Sequence, residues 1–125
     1  MELIIRNTDS QPIYEQIAAQ LRRQILSGAL APGEALPSIR GLAKDLKISV
    51  ITTKRAYDEL EAAGFINTVA GKGCFVAEQN LELVRAQQLQ QLSAQLAEAV
   101  ELGRSCGMTE PELTALLRQK WEDTP

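Results

Sequence analysis

The stretch "SIRGLAKDLKISVITTKRAYDEL", residues 38–60, holds two short helical patterns with a break between them. Each pattern follows a serine, Ser38 or Ser49, that suits the N-cap position of a helix. Apolar or small residues then recur at helical spacing: Ile39, Leu42, Ala43 and Leu46, followed by Thr53, Ala56, Tyr57 and Leu60. The stretch therefore predicts helices over 39–46 and 50–63, joined by a tight turn and ended by Gly64.

The same stretch concentrates positive charge in an acidic chain. Within residues 40–55, only Asp45 opposes the five cations Arg40, Lys44, Lys47, Lys54 and Arg55, although the whole chain has a net charge of −3. Residues 79–125 carry four Lys/Arg against seven Asp/Glu, so the net negative charge lies in this tail. The cluster is typical of a surface that faces a polyanion. The alternative is a solvated helix face without a partner.

The flanking sequence adds a helix before this stretch and a hairpin after it. Residues 12–26 have helical periodicity, and Pro32-Gly33 favours a type II turn in the connector, which Leu30 and Leu36 would anchor. The pieces "FINTV" and "CFVA", at 65–69 and 74–77, alternate like strands around a glycine-rich turn. Phe65 and Val69 would face inward, followed either by Phe75 and Ala77 or by Cys74 and Val76.

After residue 80 the sequence predicts two amphipathic helices. The first covers about 81–105, and "CGM" at 106–108 interrupts it. Thr109 and Glu112 then form a capping-box pattern for the last helix. The apolar stripe predicted to form a dimer interface comprises Leu89, Leu92, Leu96, Val100, Leu113, Leu116, Leu117 and Trp121. Such a tail is too small for its own core and needs another surface, either a second copy or its own first domain.

Composition excludes several classes of protein. The 125 residues suit one compact domain with a small appendage, and no signal peptide or membrane span is evident. Histidine is absent, and Cys74 and Cys106 lie far apart, which argues against a zinc site, a disulfide framework and a Cys–His or Ser–His catalytic pair. Both cysteines are expected to be small, partly buried packing residues. We predict a cytoplasmic protein that is not an enzyme and needs no metal or other cofactor.

Two short helices joined by a tight turn, followed by a hairpin, are the pattern of a winged helix-turn-helix. The second helix would enter the major groove by its N-terminal end, where free N–H groups favour phosphate. Gly71 and Gly73 would let the hairpin backbone approach DNA, with Lys72 reaching a phosphate or the minor groove. The predicted fold is mainly α with a small β hairpin: a winged helix-turn-helix followed by a two-helix C-terminal dimerisation tail.

Four segments resemble the GntR family of bacterial transcription regulators. They are "PIYEQI" at 12–17, "SGALAPGEALPSIRGLA" at 27–43, "AYDELEAAGFI" at 56–66 and "GKGCFV" at 71–76. The resemblance implies a DNA-binding winged helix over 10–78. The remaining 79–125 is too short for an effector domain and resembles the short YtrA-type subfamily, whose two-helix tail serves mainly in dimerisation.

The resemblance also implies the residues that contact DNA. It puts Arg40 on DNA with Ser49, Thr52 and Lys54, and it matches Gly71 to the wing glycine, beside which Lys72 would make a further contact. Ser38 and Arg55 are candidates for phosphate contact. One position departs from the family, because Val50 stands where Arg commonly follows the Ser/Thr. Valine offers only a methyl surface to the base edges, for instance to thymine.

The sequence thus predicts a homodimeric, sequence-specific repressor that binds a palindromic operator in double-stranded DNA. The resemblance to the short subfamily suggests control of a transporter operon, and it leaves open whether a small-molecule effector exists. The alternative is a winged helix used for protein–protein contact without specific DNA binding.

Overall fold

The computed structural model describes residues 1–7, 10–78 and 81–124. Over these residues the chain forms five helices and one antiparallel hairpin: α1 Ile13–Ser27, α2 Ile39–Leu46, α3 Val50–Ala62, β1 Ile66–Val69, β2 Gly73–Val76, α4 Leu81–Ser105 and α5 Glu110–Asp123. The predicted class, mainly helical with a small hairpin, is confirmed. The predicted helix bounds of α2 and α4 agree with the structure to the residue.

The chain divides into two compact units, Met1–Arg85 and Ala86–Pro125, and α4 begins in the first. The core of the first unit is apolar and draws on α1, α2, α3, the hairpin and the start of α4. Its most deeply buried large side chains are Ile17, Leu21, Leu60, Phe65, Ile66 and Val76. The prediction that 10–78 and 79–125 act as separate domains remains a proposal.

The two serines predicted as caps fix the starts of α2 and α3. Ser38 Oγ accepts a hydrogen bond from Gly41 N at 2.9 Å, and Ser49 Oγ accepts one from Thr52 N at 3.0 Å. Between the helices, Lys47 lies in the left-handed region at φ 57°. Lys47 N donates to Lys44 O, and Ile48 N donates to Ala43 O. This pair of bonds is a Schellman motif, so the helix-turn-helix turn is a capped helix end.

The connector before α2 joins the hairpin as a third extended segment. Ala35 bridges Phe75, and Leu36 N donates to Cys74 O at 2.9 Å. Of the two inward faces that the sequence left open, Cys74 and Val76 are both buried, whereas in the other pair Ala77 is buried and Phe75 is half-buried. The expectation for Val69 is wrong, because Val69 is 42% exposed at the hairpin tip, beyond the reach of the core.

An extended N-terminal segment lies along α1 and is held by three glutamines. The Gln20 side-chain amide pairs with the Ile4 backbone as a neighbouring strand would. Its oxygen accepts from Ile4 N at 2.8 Å, and its nitrogen donates to Ile4 O at 2.7 Å. Gln16 makes the same pair with Arg6, and Gln24 donates to Glu2 O. Helical spacing of four places the amides beside every second residue of the segment. Leu3 and Ile5, on the other side, pack against the core.

The second unit is a pair of helices joined by a capped turn. Leu113 packs over Gly103, where an added Cβ would lie 3.4 Å from Leu113 Cδ2. The predicted capping box is present, since Thr109 Oγ1 accepts from Glu112 N and Glu112 accepts from Thr109 N at 2.9 Å. The Glu112 carboxylate also accepts from Thr109 Oγ1 at 3.0 Å, and the bonds that it accepts from Thr109 lower its pKa, the backbone bond more than the side-chain bond. The cysteine expectation holds for buried Cys74 and is wrong for Cys106, which is exposed in the turn.

Candidate nucleic-acid interface

The first turn of α3 is ordered by its own hydroxyl groups. Ser49 Oγ donates to Thr52 Oγ1 at 2.8 Å while it accepts from Thr52 N, and Thr53 Oγ1 donates to Ser49 O. The hydroxyl hydrogen of Ser49 is therefore already used in a hydrogen bond within the cap. Thr52 keeps its hydroxyl hydrogen available for an acceptor outside the protein. Of the two hydroxyls predicted to contact DNA, Thr52 is the better donor and Ser49 its positioning group.

The apolar residues of this turn point away from the core. Val50 is 45% exposed and Ile51 is 80% exposed. By contrast, Thr53, Ala56, Tyr57 and Leu60 are buried, as predicted. Tyr57 Oη donates to Pro37 O at 2.8 Å, which fixes α3 to the residue before the α2 cap, and burial raises the pKa of this phenol. The buried face thus orients the turn, and the exposed face is left for a partner.

Three cations beside α3 have side chains without a protein partner among the described residues. Arg40 and Lys44 are exposed on α2, and Lys47 is exposed in the turn that leads into Ser49. Within residues 1–7, 10–78 and 81–124, no ion pair or hydrogen bond engages their charged groups. Unpaired, solvated cations at this density can exchange their counterions for phosphates. Ser38, whose oxygen caps α2, also keeps a hydroxyl hydrogen that can donate to a phosphate.

The other two predicted cations are engaged within the protein. Lys54 Nζ lies 2.6 Å from Asp58 Oδ2, and both side chains are exposed. The Arg55 guanidinium stacks 3.8 Å from the ring centroid of Tyr14, and its Nε lies 3.9 Å from Glu59 Oε1. Arg55 therefore joins α3 to α1. Lys54 can leave its surface pair at little cost, because an exposed pair of this type contributes about 0.3–0.5 kcal/mol.

The hairpin tip presents backbone and one lysine to solvent. Lys72 N donates to Val69 O at 2.9 Å, closing a four-residue turn whose third residue, Gly71, has φ 75°. A glycine is needed there because other residues are strained at positive φ. The Lys72 side chain is exposed, and a Cβ added at Gly71 would meet nothing within 4 Å. The backbone at this tip is therefore open to close approach.

The residues predicted to form a dimer interface are uncovered in the single chain. Seven of them are exposed: Leu89, Leu92, Leu96, Val100, Leu116, Leu117 and Trp121. Trp121 is 82% exposed, and Leu113 is half-buried against Gly103. An apolar stripe of this length on two joined helices is typical of an interaction surface.

Sequence analysis missed three residues of this surface. Lys44 and Lys47 were predicted only as members of a charged cluster and not as individual contacts. The left-handed backbone of Lys47 has no sequence signal, because glycine is the residue expected there. Ile51 is not among the contacts predicted from the sequence. Its exposure follows from helical spacing, because it lies two residues before buried Thr53 and therefore on the far side of α3.

Two further features are absent from the described part of the chain. No group of three or more Cys, Asp or Glu residues there could hold a metal ion. Within the same residues, no helix is long and apolar enough to cross a membrane.

Comparison with protein families gives one match to this region. The model described as "Bacterial regulatory proteins, gntR family" matches residues 13–76. Among curated proteins, the chain is 44% identical over 69 residues to the HTH-type transcriptional repressor YtrA of Bacillus subtilis (strain 168). This alignment covers 55% of the chain and 53% of that repressor. The match thus spans about half the length of the curated relative.

Solved structures extend the likeness over both units. A transcriptional antiterminator from Listeria monocytogenes EGD-e is 32% identical, with a TM-score of 0.79 and coverage of 98% of this chain and 92% of that one. YtrA from Sulfolobus acidocaldarius, a GntR-family transcription factor, is 30% identical, with a TM-score of 0.61 and 98% of both chains covered. The DNA-binding domain of AraR in complex with operator ORX1 is 26% identical, with a TM-score of 0.54, over 62% of this chain and 96% of that domain.

Proposed function

Because this chain belongs to the GntR family of bacterial regulatory proteins, we propose that it is a transcriptional repressor that binds a palindromic operator in double-stranded DNA as a homodimer. Its relatives are named as regulators or factors of transcription rather than enzymes. A DNA-binding role would place the protein in the cytoplasm, with the chromosome.

The observation that carries the proposal is the set of unpaired cations around the start of α3. Arg40, Lys44 and Lys47 have no protein partner among the described residues and leave α3 flanked by free positive charge. In the second half of α3, Asp58, Glu59 and Glu61 are acidic and would repel phosphates. The helix can therefore enter a major groove only by its N-terminal turn, which carries Val50 and Thr52.

The remaining predicted contacts divide by chemistry. The Arg40 guanidinium can donate two hydrogen bonds to either a guanine edge or a phosphate, whereas Lys54 must first leave its ion pair with Asp58. Ser38 and Lys72 suit phosphate, and Gly71 suits close approach of the wing backbone. Arg55 is the weakest candidate, because Tyr14 and Glu59 already engage it. The likeness to the AraR DNA-binding domain, which was solved in complex with operator ORX1, supports DNA as the partner.

The homodimer is proposed on the apolar stripe of α4 and α5. A second copy can cover this stripe isologously, and a dimer would present two winged helices to two half-sites of a palindrome. The resemblance to YtrA-type regulators further supports the proposal that the target is a transporter operon close to the gene.

Selection of binding sites from a random duplex pool tests the proposal. We expect an inverted repeat whose affinity falls steeply with salt. If all four free cations (Arg40, Lys44, Lys47 and Lys72) of each subunit contact phosphate, eight contacts predict a log–log slope of about −7. An RNA duplex of the same sequence serves as competitor, because one structural relative is named an antiterminator. Salt-independent binding, or no selected motif, would favour the alternative of a protein-contact module.

Arg40→Ala is the sharpest variant for this test, with Arg85→Ala as the control for loss of one exposed arginine. If Arg40 contacts a base, we expect a loss of about 1–3 kcal/mol on the operator and a smaller loss on random DNA. Equal losses on both would make Arg40 a phosphate contact. No loss on either would remove it from the interface.

A further inference from the structure

Val50 and Ile51 form an aliphatic surface on the first turn of α3, and from it we infer that this protein recognises the 5-methyl groups of thymines in its operator. This inference rests on the proposed function and adds the class of base that the helix selects. Other residues of the protein leave both side chains uncovered: Val50 is 45% exposed and Ile51 is 80% exposed.

The placement of Ile51 argues for a contact outside the protein. It lies opposite the buried face formed by Thr53, Ala56, Tyr57 and Leu60, at the centre of the exposed face. A β-branched residue at an exposed helix position contributes nothing to packing and is a weaker helix former than alanine or lysine. Burial of this side chain against another surface would recover its hydrophobic free energy.

The polar groups of the same turn are largely occupied. Ser49 and Thr52 are hydrogen-bonded to each other, and the Thr53 hydroxyl donates to Ser49 O. One hydroxyl hydrogen, that of Thr52, is left for a hydrogen bond to a base. Most of the surface that this turn can offer to base edges is therefore methyl surface.

Charge decides that the partner of this surface is DNA. The aliphatic pair follows the exposed cation Lys47 by three and four residues, and Lys44 is exposed on the preceding helix, so the pair does not lie on an uncharged apolar face. In the major groove, the C5-methyl of thymine is the apolar group that a base pair presents to a side chain. 5-Methylcytosine carries the same group at the same carbon. A turn that recognises the methyl should accept either base in preference to its unmethylated form.

The experiment removes one methyl group at a time from the selected operator. Each thymine is replaced singly by 2′-deoxyuridine, which keeps every hydrogen-bonding atom of the base. Affinities are measured for the wild type, Val50→Ala and Ile51→Ala, with Leu83→Ala as a control for loss of an exposed aliphatic side chain. The melting curve of each variant checks that it folds like the wild type.

We expect at least one replacement per half-site to weaken wild-type binding about fourfold, the factor for burial of one methylene-sized group. The same replacement should have little effect on Ile51→Ala or Val50→Ala, while Leu83→Ala behaves as the wild type. At that position cytosine should bind more weakly than 5-methylcytosine. Uridine-insensitive operator binding, or unchanged sensitivity in both variants, overturns the inference and leaves the proposed function standing. Absence of any operator overturns both.

Val50→Arg gives an independent test at the position where the chain departs from the common family pattern. An arginine here can donate two hydrogen bonds to guanine. We expect the motif selected by this variant to gain guanine at one symmetric pair of positions, and its binding to random DNA to strengthen. Identical motifs for the variant and the wild type would contradict the placement of this turn in the groove.

Discussion

Lys47 occupies a left-handed backbone conformation that glycine occupies at the ends of α1, α3 and α4. The ends of α3 and α4 have the same pair of hydrogen bonds as that of α2, but their left-handed residues are Gly64 and Gly107. Among the described residues, Lys47 is the one non-glycine residue with positive φ. A side chain in this region costs about 1–2 kcal/mol relative to glycine. Strain held beside a proposed interface is typical of a residue kept for function.

We therefore expect Lys47→Gly to stabilise the fold by about 1 kcal/mol and to weaken DNA binding. The affinity for operator and for random DNA should fall by similar factors, because a turn lysine contacts phosphate rather than a base. Denaturant unfolding and binding at fixed salt measure the two effects. Lys44→Ala is the control, with weaker binding and no stabilisation from backbone strain. A Lys47→Gly protein that binds as the wild type does would remove Lys47 from the interface.

Tyr57 has a structural role that can be separated from binding. Its hydroxyl donates to Pro37 O, and Tyr57→Phe would leave this carbonyl without that partner. We expect the free energy of unfolding to fall by about 1–3 kcal/mol. Tyr14→Phe is the control, because the Tyr14 hydroxyl makes an exposed 3.4 Å contact with Glu15 and its loss should change stability little. Equal effects of the two substitutions would contradict this role for the Pro37 bond.

The N-terminal segment depends on glutamine side chains rather than on a strand partner. Gln20→Ala removes two hydrogen bonds to Ile4, and we expect a loss of about 1–2 kcal/mol in stability or local protection. Amide hydrogen exchange at Ile4 measures the local effect. The control is Gln88→Ala, which removes a half-buried glutamine of α4 outside this segment. Unchanged exchange at Ile4 in Gln20→Ala would show that the two Gln20 hydrogen bonds do not hold the N-terminal segment.

The helix α5 has a start that should respond to pH. The hydrogen bonds from Thr109 lower the pKa of Glu112, so they stabilise the helix at pH values above the ordinary glutamate range. This stabilisation is lost as pH falls through the lowered pKa, when the carboxylate becomes protonated. We expect amides in the first turn of α5 to exchange faster as the pH falls through that window, after correction for the intrinsic rate. Glu112→Gln should lack this step, and a step that persists in the variant would assign it to another group.

Elements with a strong local signal could be predicted from the sequence, whereas contacts distant in sequence could not. Ser38, Ser49 and the capping box at Thr109 determined helix starts, because a cap acts on residues two or three positions away. The hydrogen bonds between Gln20 and Ile4 join residues sixteen apart, and glutamine has no preferred partner that periodicity could reveal. The bridge from Ala35 to Phe75 was missed for the same reason. In the candidate site, the charged residues could be identified from the sequence. Their partners could not: Lys54 forms an ion pair with Asp58, and Arg55 stacks on the Tyr14 ring.

At the scale of the molecule, the tail joins the DNA-binding unit at a point that affects how truncations behave. Val84, at the start of α4, is buried in the core of the first unit, with its Cγ2 3.1 Å from the place of a Cβ on Gly64. A chain that ends at Glu78 would lose this side chain, at a cost of about 1.5–3 kcal/mol. A chain that ends at Arg85 keeps it, so this chain isolates the effect of the tail from damage to the core.

We expect the fragment 1–85 to unfold cooperatively and to sediment as a monomer. Because one winged helix would hold one half-site, its affinity for the palindrome should fall by about 100-fold or more, the factor lost with bivalent binding. Its affinity for an isolated half-site should stay near that of one subunit. Leu96→Asp in the full chain gives the same test without truncation, since a buried carboxylate would oppose an apolar interface. The control is Leu102→Asp, on the same helix and outside the predicted stripe. If fragment 1–85 is a dimer in solution, the interface lies in the first unit, and the exposed stripe from Leu89 to Trp121 must have another partner.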